Sequence, residues 1–347
     1  MLDFVIIELQ KTEKIMKMNI CFATDENYLK TTAVAIMTIL LTNKEEDFTF
    51  YILSQKLSCE SQNLLKETVK KYSAKSSLEF CFLTDDILQT FSSTIKKDDH
   101  VSLATYLRLF LPSFLPESVD KILYIDGDTI CTDSLEELYS TDLTGFSMAA
   151  CTDARTDDTE IFNRLDYPLE AGYFTAGLLL INIDYWRKND IQNKCLKFIS
   201  ENKSICTWHD QDALNKVLAG TIKSLHLKYA APEAFWEEET RYPERFEKEI
   251  EEARKSPVII HCLNKIKPWN KENKSSRPMT ATWLKLYKKL FGQDCKRKNV
   301  LKGKEKLKWL AKGILCKLHL RVDNNFSNQK KFNEIKPGIE KKYFGNE

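Results

Sequence analysis

The sequence predicts an α/β protein built on a largely parallel sheet. Short apolar runs alternate with segments of helical period along the first half of the chain, the rhythm of strand, helix, strand. Those runs repeatedly end in clusters of polar residues, as ligand-binding strand ends do in open α/β sheets. A composition of 43% hydrophobic and 29% charged residues over 347 positions suits one large globular domain or two modest ones.

The elements follow in order. NICFA (19–23) reads as a buried strand and 28–42 as a mostly apolar helix. FTFYIL (48–53) is the next strand, 60–74 an amphipathic helix and LEFCFL (78–83) a third strand. Residues 102–111 are predicted helical, stopping before Pro112. KILYI (121–125) is a strand, and DSLEEL (133–138) a short helix with an Asp133 N-cap. GLLLINI (177–183) is a buried strand running into a helix from Asp184. HDQDALNKVL (209–218) is a polar loop that becomes a helix, and PVIIH (257–261) is a last strand. Beyond 280 the pattern is helical and basic, then polar and unpatterned from about 322. Residues 1–17 are expected to form a weakly structured leader, 18–280 the main domain and 281–347 a basic helical appendage.

Several classes are excluded. No apolar run approaches the roughly 20 residues of a membrane span. Ten cysteines are scattered without a C-x-x-C pair, which argues against a zinc ribbon and reads as reduced cytosolic thiols. Only 10 glycines occur, with no G-x-G-x-x-G and no G-x-x-x-x-G-K, so phosphate would not be held by a glycine-rich loop. Charge is split: residues 281–347 carry 18 Lys/Arg against 6 Asp/Glu, and residues 1–280 carry 34 against 44. A basic appendage of this kind suits an anionic partner.

The chemistry-bearing residues cluster at strand ends. YIDGDTIC (124–131) places Asp126, Gly127 and Asp128 after a strand. Asp-Gly is a common hairpin turn, and equally the acid pair could hold a divalent cation, with His261 closing a second strand as an imidazole donor. ATDENY (23–28) offers Asp25, Asn27, Thr24 and the ring of Tyr28 to a base, or else an Asx-type helix entrance. His209, Asp210, Gln211 and Asp212 stand at a helix start, where acids satisfy free N–H groups. Gln211 could instead face a developing cation. Arg108 in an apolar segment could clamp a phosphate or pair with a structural acid. Lys267, beside a stiffening proline, could reach a pyrophosphate.

Taken in order, NICFATDENY, ATYLRLFL, KILYIDGDTIC, FTAGLLLINIDYWR, HDQDALN and HCLNKIKPW resemble glycosyltransferase family 8 from about Met18 to Trp269. The likeness is to bacterial members that extend lipopolysaccharide or lipooligosaccharide, and it implies a GT-A fold with a mixed, mostly parallel sheet. It implies that Asp126 and Asp128 hold Mn²⁺ or Mg²⁺ with His261. Ala23, Thr24, Asp25, Asn27 and Tyr28 would hold uridine. Arg108, Gly127, Asn264 and Lys267 would meet the diphosphate, and Asp153, Asp210 and Gln211 the sugar and acceptor side. Thr175 stands where relatives often carry asparagine, and Asn264 where glycine is common.

The resemblance implies retaining transfer of galactose or glucose from a UDP-sugar to a saccharide acceptor, including a lipid-linked one. Two alternatives come from other classes. A haloacid-dehalogenase-like phosphatase also uses D-x-D after a strand, but wants threonine where Ile130 stands. A non-catalytic nucleotide-sugar-binding protein could keep the same fold. In residues 296–321, Leu307, Leu310, Ile314, Leu315 and Leu318 fall on one helical face among lysines. Such a helix could pack on the catalytic domain with a solvated basic face; the charge instead predicts a cytoplasmic protein docked peripherally on the anionic inner face of the membrane, with no nucleic-acid partner.

Overall fold

The structure is a computed structural model that describes residues 17–84, 103–236, 240–263, 265–273, 279–317 and 325–345. Residues 1–16 of the expected leader, Asn264 and Leu318 lie outside that set. Lys17 already belongs to the first strand.

The main sheet is assembled from β1 (Lys17–Ala23), β2 (Asp47–Ser54), β3 (Ser77–Phe82), β4 (Lys121–Ile125), β6 (Met148–Thr152), β7 (Phe174–Asn182) and β8 (Ile222–Leu225). Its order is β3-β2-β1-β4-β7-β6-β8. The β1–β2, β2–β3, β1–β4 and β6–β8 pairs are parallel, whereas β7 runs antiparallel to both neighbours. A second sheet joins β5 (Thr129–Cys131), β10 (Ile259–His261) and β9 (Ala231–Pro232). Ile20 and Phe22 feed one apolar cluster and Cys21 the other, so both faces of the main sheet are covered. This double burial explains why its strands read as apolar runs rather than alternating ones.

The longer helices are α1 (Leu29–Thr42), α2 (Cys59–Tyr72), α3 (Ile191–Glu201), α4 (His209–Val217), α5 (Glu247–Lys255), α6 (Thr280–Phe291), α7 (Gly303–Lys317) and α8 (Asn325–Phe344). Three local expectations change. Leu103–Phe110 is a 3₁₀ helix, and Pro112 lies in the first turn of the next helical segment, where it has no intrahelical N–H to forfeit. Asp133 does not cap the short helix that follows; its Oδ1 accepts from Ser134 N at 2.9 Å, while Leu135 N donates to Asn43 Oδ1 at 2.7 Å. Residues 325–344 form a helix, because tertiary packing supplies what the weak pattern lacks: Phe332, Ile339 and Tyr343 are buried in the main core.

Trp283, Leu286 and Tyr287 of α6 join that same cluster. Helix α8 is also tied to the small sheet, since Lys342 Nζ donates to Thr132 O at 2.8 Å and Tyr343 OH to Cys131 O.

Candidate functional site

The site begins where β4 stops. Asp126 N donates to Gly177 O at 2.9 Å, Thr129 Oγ1 to Asp126 O at 2.9 Å, and Cys262 N to Asp128 O at 3.0 Å. The Asp-Gly-Asp turn is thus held by β7 on one side and by the end of β10 on the other. Antiparallel pairing of β5 with β10 sets His261 against Thr129, which delivers the imidazole to the acids. One ligand atom from each of Asp126, Asp128 and His261 lies within 4.8 Å of the others. His261 Nε2 is 2.9 Å from Asp128 Oδ1 and 3.7 Å from Asp126 Oδ2.

Two further cations stand behind the acids. Lys267 Nζ donates to Asp128 Oδ2 at 2.7 Å and to Cys262 O at 2.6 Å. Burial alone would raise the Asp128 carboxyl, but His261 and Lys267 together hold it well below the usual carboxylate range. Arg108 is buried; its Nη2 donates to Asp126 Oδ1 at 3.2 Å, its Nε to Thr105 O at 3.0 Å and its Nη1 to Ala176 O. The guanidinium lies 4.2 Å from the Tyr124 ring centroid, and Tyr124 OH donates to Asp126 Oδ1 at 2.8 Å. Each partner fixes one acid lone pair, so the carboxylates are preorganised.

Asp210 approaches Arg108 Nε at 3.0 Å but accepts no hydrogen bond there, because that N–H points at Thr105 O. Its Oδ2 is a buried carboxylate oxygen without a donor. Burial pushes Asp210 up to about 6, against the pull of Arg108 and with help from Asp126.

Gln211 is a strut. Its Oε1 accepts from Ala176 N at 3.0 Å and its Nε2 donates to Asp153 Oδ2 at 3.1 Å. Asp153 is in turn gripped by Arg155 through Nε and Nη2, both at 2.9 Å, and the guanidinium stacks 3.7 Å from a Trp208 ring centroid.

The residues expected on the base side lie at the β1–α1 junction. Ala23 closes β1, and Thr24 N donates to Leu53 O at 2.9 Å. Asp25 Oδ1 accepts from Asn27 N and Tyr28 N, each at 2.9 Å, the Asx-type geometry that the sequence offered as one of two readings. Tyr28 is 38% exposed, with its ring edge-on to Trp269 at 6.0 Å. A Cβ on Gly127 would come within 2.6 Å of Thr32 Oγ1, so the first turn of α1 presses directly on the acid turn. The two strand ends therefore share one crevice.

The donor set fits a divalent cation: two carboxylates and one imidazole converge, a hard, mixed O/N set suited to Mn²⁺ or Mg²⁺. Gly177 leaves room for the imidazole. A Cβ on Gly177 would lie 2.4 Å from His261 Cε1 and 3.1 Å from Asp126 Oδ2. Sequence reasoning read Gly177 only as part of a strand, and missed it as the residue against which the imidazole rests. It placed Asp212 among the acids of a helix start but not how far its bonds reach: the buried carboxylate accepts from Trp208 N and Tyr173 OH at 2.7 Å and from Arg164 Nη1 at 2.8 Å. That carboxylate fixes the entrance of α4, where His209 adopts φ +54°. A buried acid inside HDQD was the available signal.

The architecture is that of the GT-A sugar transferases. The galactosyltransferase LgtC, solved with donor and acceptor sugar analogues, superposes with a TM-score of 0.68 at 22% identity, covering 84% of this chain and all of that one. The sequence profile of Glycosyl transferase family 8 matches residues 19–273, and the chain belongs to that family. A Haemophilus influenzae protein named for glycosyl transfer is 33% identical over 213 residues, 61% of this chain and 62% of its own length, so the match spans less than two thirds of that relative. The lipopolysaccharide 1,3-galactosyltransferase of Salmonella typhimurium is 25% identical over 265 residues, 73% of each chain. Family membership places the chain outside the haloacid-dehalogenase phosphatases. Among the described residues, no helix is long and apolar enough to cross a membrane.

Proposed function

We propose that the protein is a metal-dependent, retaining hexosyltransferase that moves galactose or glucose from a UDP-sugar to a saccharide acceptor in surface glycan synthesis, such as lipopolysaccharide. The observation that carries this reading is the convergence of Asp126, Asp128 and His261 at the strand-end crevice of a family 8 fold. A divalent cation held there would supply Lewis-acid stabilisation to a leaving diphosphate. Lys267 adds a fixed positive charge beside Asp128, positioned to strengthen its attraction to phosphate as negative charge grows. Arg108 orients Asp126 and Asp210 rather than standing open to solvent. Thr24, Asp25, Asn27 and Tyr28 line the base side of the crevice.

Retention requires either a covalent intermediate or attack on the face that the leaving group departs. Gln211 has both ends of its amide engaged, and an amide is a poor nucleophile. The same-face route is therefore favoured, with Gln211 and Asp153 framing the sugar and Asp210 orienting a hydroxyl. The test is UDP release from a panel of UDP-hexoses with and without Mn²⁺. Mn²⁺-stimulated release from one donor is the expected outcome. Tight donor binding without turnover would instead favour the nucleotide-sugar-binding alternative.

The basic C-terminal region extends the proposal to location. In α7, Leu307, Leu310, Ile314 and Leu315 are exposed, as are Lys302 just before the helix and Lys304, Lys306 and Lys308 in its N-terminal half. Such a helix suits the anionic inner face of a membrane, where each lysine adds on the order of 1 kcal/mol. A lipid-linked acceptor would be concentrated there.

A further inference from the structure

Helix α7 is not joined to the catalytic body by a loose tether. The chain that leads into it, residues 297–305, is laced to residues 265–273, the loop that carries Lys267. The Glu272 carboxylate, itself buried, accepts from Val300 N and Leu301 N, each at 3.0 Å. Arg297 Nη2 donates to Asn270 O and Asn273 O. Lys271 N donates to Lys298 O at 2.9 Å, and Lys265 Nζ meets Glu305 Oε1 at 2.7 Å on the first turn of α7. Within the loop, Lys267 N donates to Asn270 Oδ1 at 2.7 Å, so the residue that Arg297 holds also holds the backbone of Lys267. The Lys267 ammonium then ends on Asp128.

Hydrogen bonds and the short stretches of chain between them thus connect an exposed apolar helix with lysines along it to the acid turn. We propose that docking of α7 on an anionic membrane surface is transmitted through Arg297 and Glu272 to the Lys267 loop, so that the surface-bound protein holds a nucleoside diphosphate more tightly than the free protein. The inference rests on the membrane-docking and donor-site readings above. A bilayer fits the surface because exposed apolar side chains and exposed lysines share one helix, whereas a protein groove would match the leucines but not the lysines. Immobilising α7 narrows the arrangements open to residues 297–305, and those residues carry the partners of the loop. Lys267 is then ordered before the ligand arrives, which lowers the cost of ordering it on binding. By linkage, the nucleotide must strengthen vesicle binding by the same factor.

The experiment uses the full chain with UDP and Mn²⁺ at fixed free concentration, titrated calorimetrically with phosphatidylglycerol-rich vesicles, with phosphatidylcholine vesicles and without lipid. Co-sedimentation is measured in parallel. Anionic vesicles should lower the Kd for UDP at least about fivefold, and should raise hydrogen-exchange protection at Lys271 and Leu301. Glu272→Gln and Arg297→Gln should still sediment with vesicles and bind UDP, but lose the vesicle-dependent tightening. If either variant misfolds, the wild-type affinity and exchange comparisons decide the matter without it. Co-sedimentation with an unchanged Kd would overturn the coupling alone. Absence of co-sedimentation would overturn the docking surface and the coupling with it, as would a concentration-dependent dimer that buries α7. Failure to bind UDP in every arm would overturn the donor-site reading instead.

Discussion

The Asp126–Asp128 turn and helix α7 stand at opposite extremes of constraint. In the turn, both carboxylates meet cations, a tyrosine hydroxyl or an imidazole, and the backbone is bonded to two other strands. On α7, large apolar side chains face water, with Leu307 66% and Ile314 59% exposed. Buried charge is costly unless its partners are built in, so the fold supplies them. The row of leucines on α7 is left uncovered by the described residues, as interaction surfaces are. The first region is fixed from within; the second would act, under the proposed docking, only when a partner arrives.

The comparison breaks most visibly at the acids. Asp128→Asn should lower transfer by roughly 100-fold or more and abolish the response to Mn²⁺, because one donor is lost and Lys267 keeps no anionic partner. The check is UDP release alongside circular dichroism that confirms folding; a folded variant with full Mn²⁺ stimulation would refute the metal assignment. Gly177→Ala forces a methyl into His261, so stability should drop by about 1–3 kcal/mol and activity by about 10–100-fold. Urea unfolding and Mn²⁺ affinity measure the two effects separately.

Gln211→Ala should reduce kcat about 10-fold while moving the donor KM less, since the strut between Ala176 and Asp153 matters most at the reacting centre. The reverse pattern would assign Gln211 to ground-state sugar binding.

Asp210 gives the pH signature. Burial raises it to about 6, whereas an unfolded aspartate titrates near about 4. The folded state therefore binds more protons between about pH 4 and 6, and this group's contribution to stability falls as pH rises through that window. Asp210→Asn should remove the fall, so the Tm of the variant should gain on wild type from pH 4 towards pH 7. Parallel profiles would mean that Asp210 titrates as in the unfolded chain.

The smallest effect on stability belongs to α7. Leu307→Asp combined with Leu310→Asp should change unfolding free energy by no more than about 0.5 kcal/mol, yet should abolish pelleting with anionic liposomes. Substantial destabilisation would mean that these leucines pack against the protein after all.

Much of this was legible in the sequence because strand ends announce themselves. The apolar runs before Ala23, Asp126 and His261 end at the crevice, and their order along the chain carried the family resemblance. What stayed hidden depends on pairing. Nothing local marks β7 as the strand that runs against its neighbours, yet that reversal brings Ala176 and Gly177 beside Asp126. Gly177 matters through a residue 84 positions later, and Asp212 through Arg164 and Tyr173 on two other segments. Pattern strength also misled at the C-terminus. Helix α8 carries a proline and a weak stripe but is anchored by Phe332 and Tyr343, while the more regular leucine row of α7 is left uncovered.

The β5–β10 pairing has a consequence for how the protein comes into being. His261 lies 133 residues beyond Asp128, and the strand that carries it is among the last to join the sheets. Closing a loop of that length costs on the order of 4 kcal/mol of chain entropy. A nascent chain that has emerged only as far as β8 therefore presents an acid pair without its imidazole or its lysine. During synthesis the cluster of Asp126, Asp128 and His261 is completed late, and under the proposed function nucleotide loading would wait for the chain to pass Lys267.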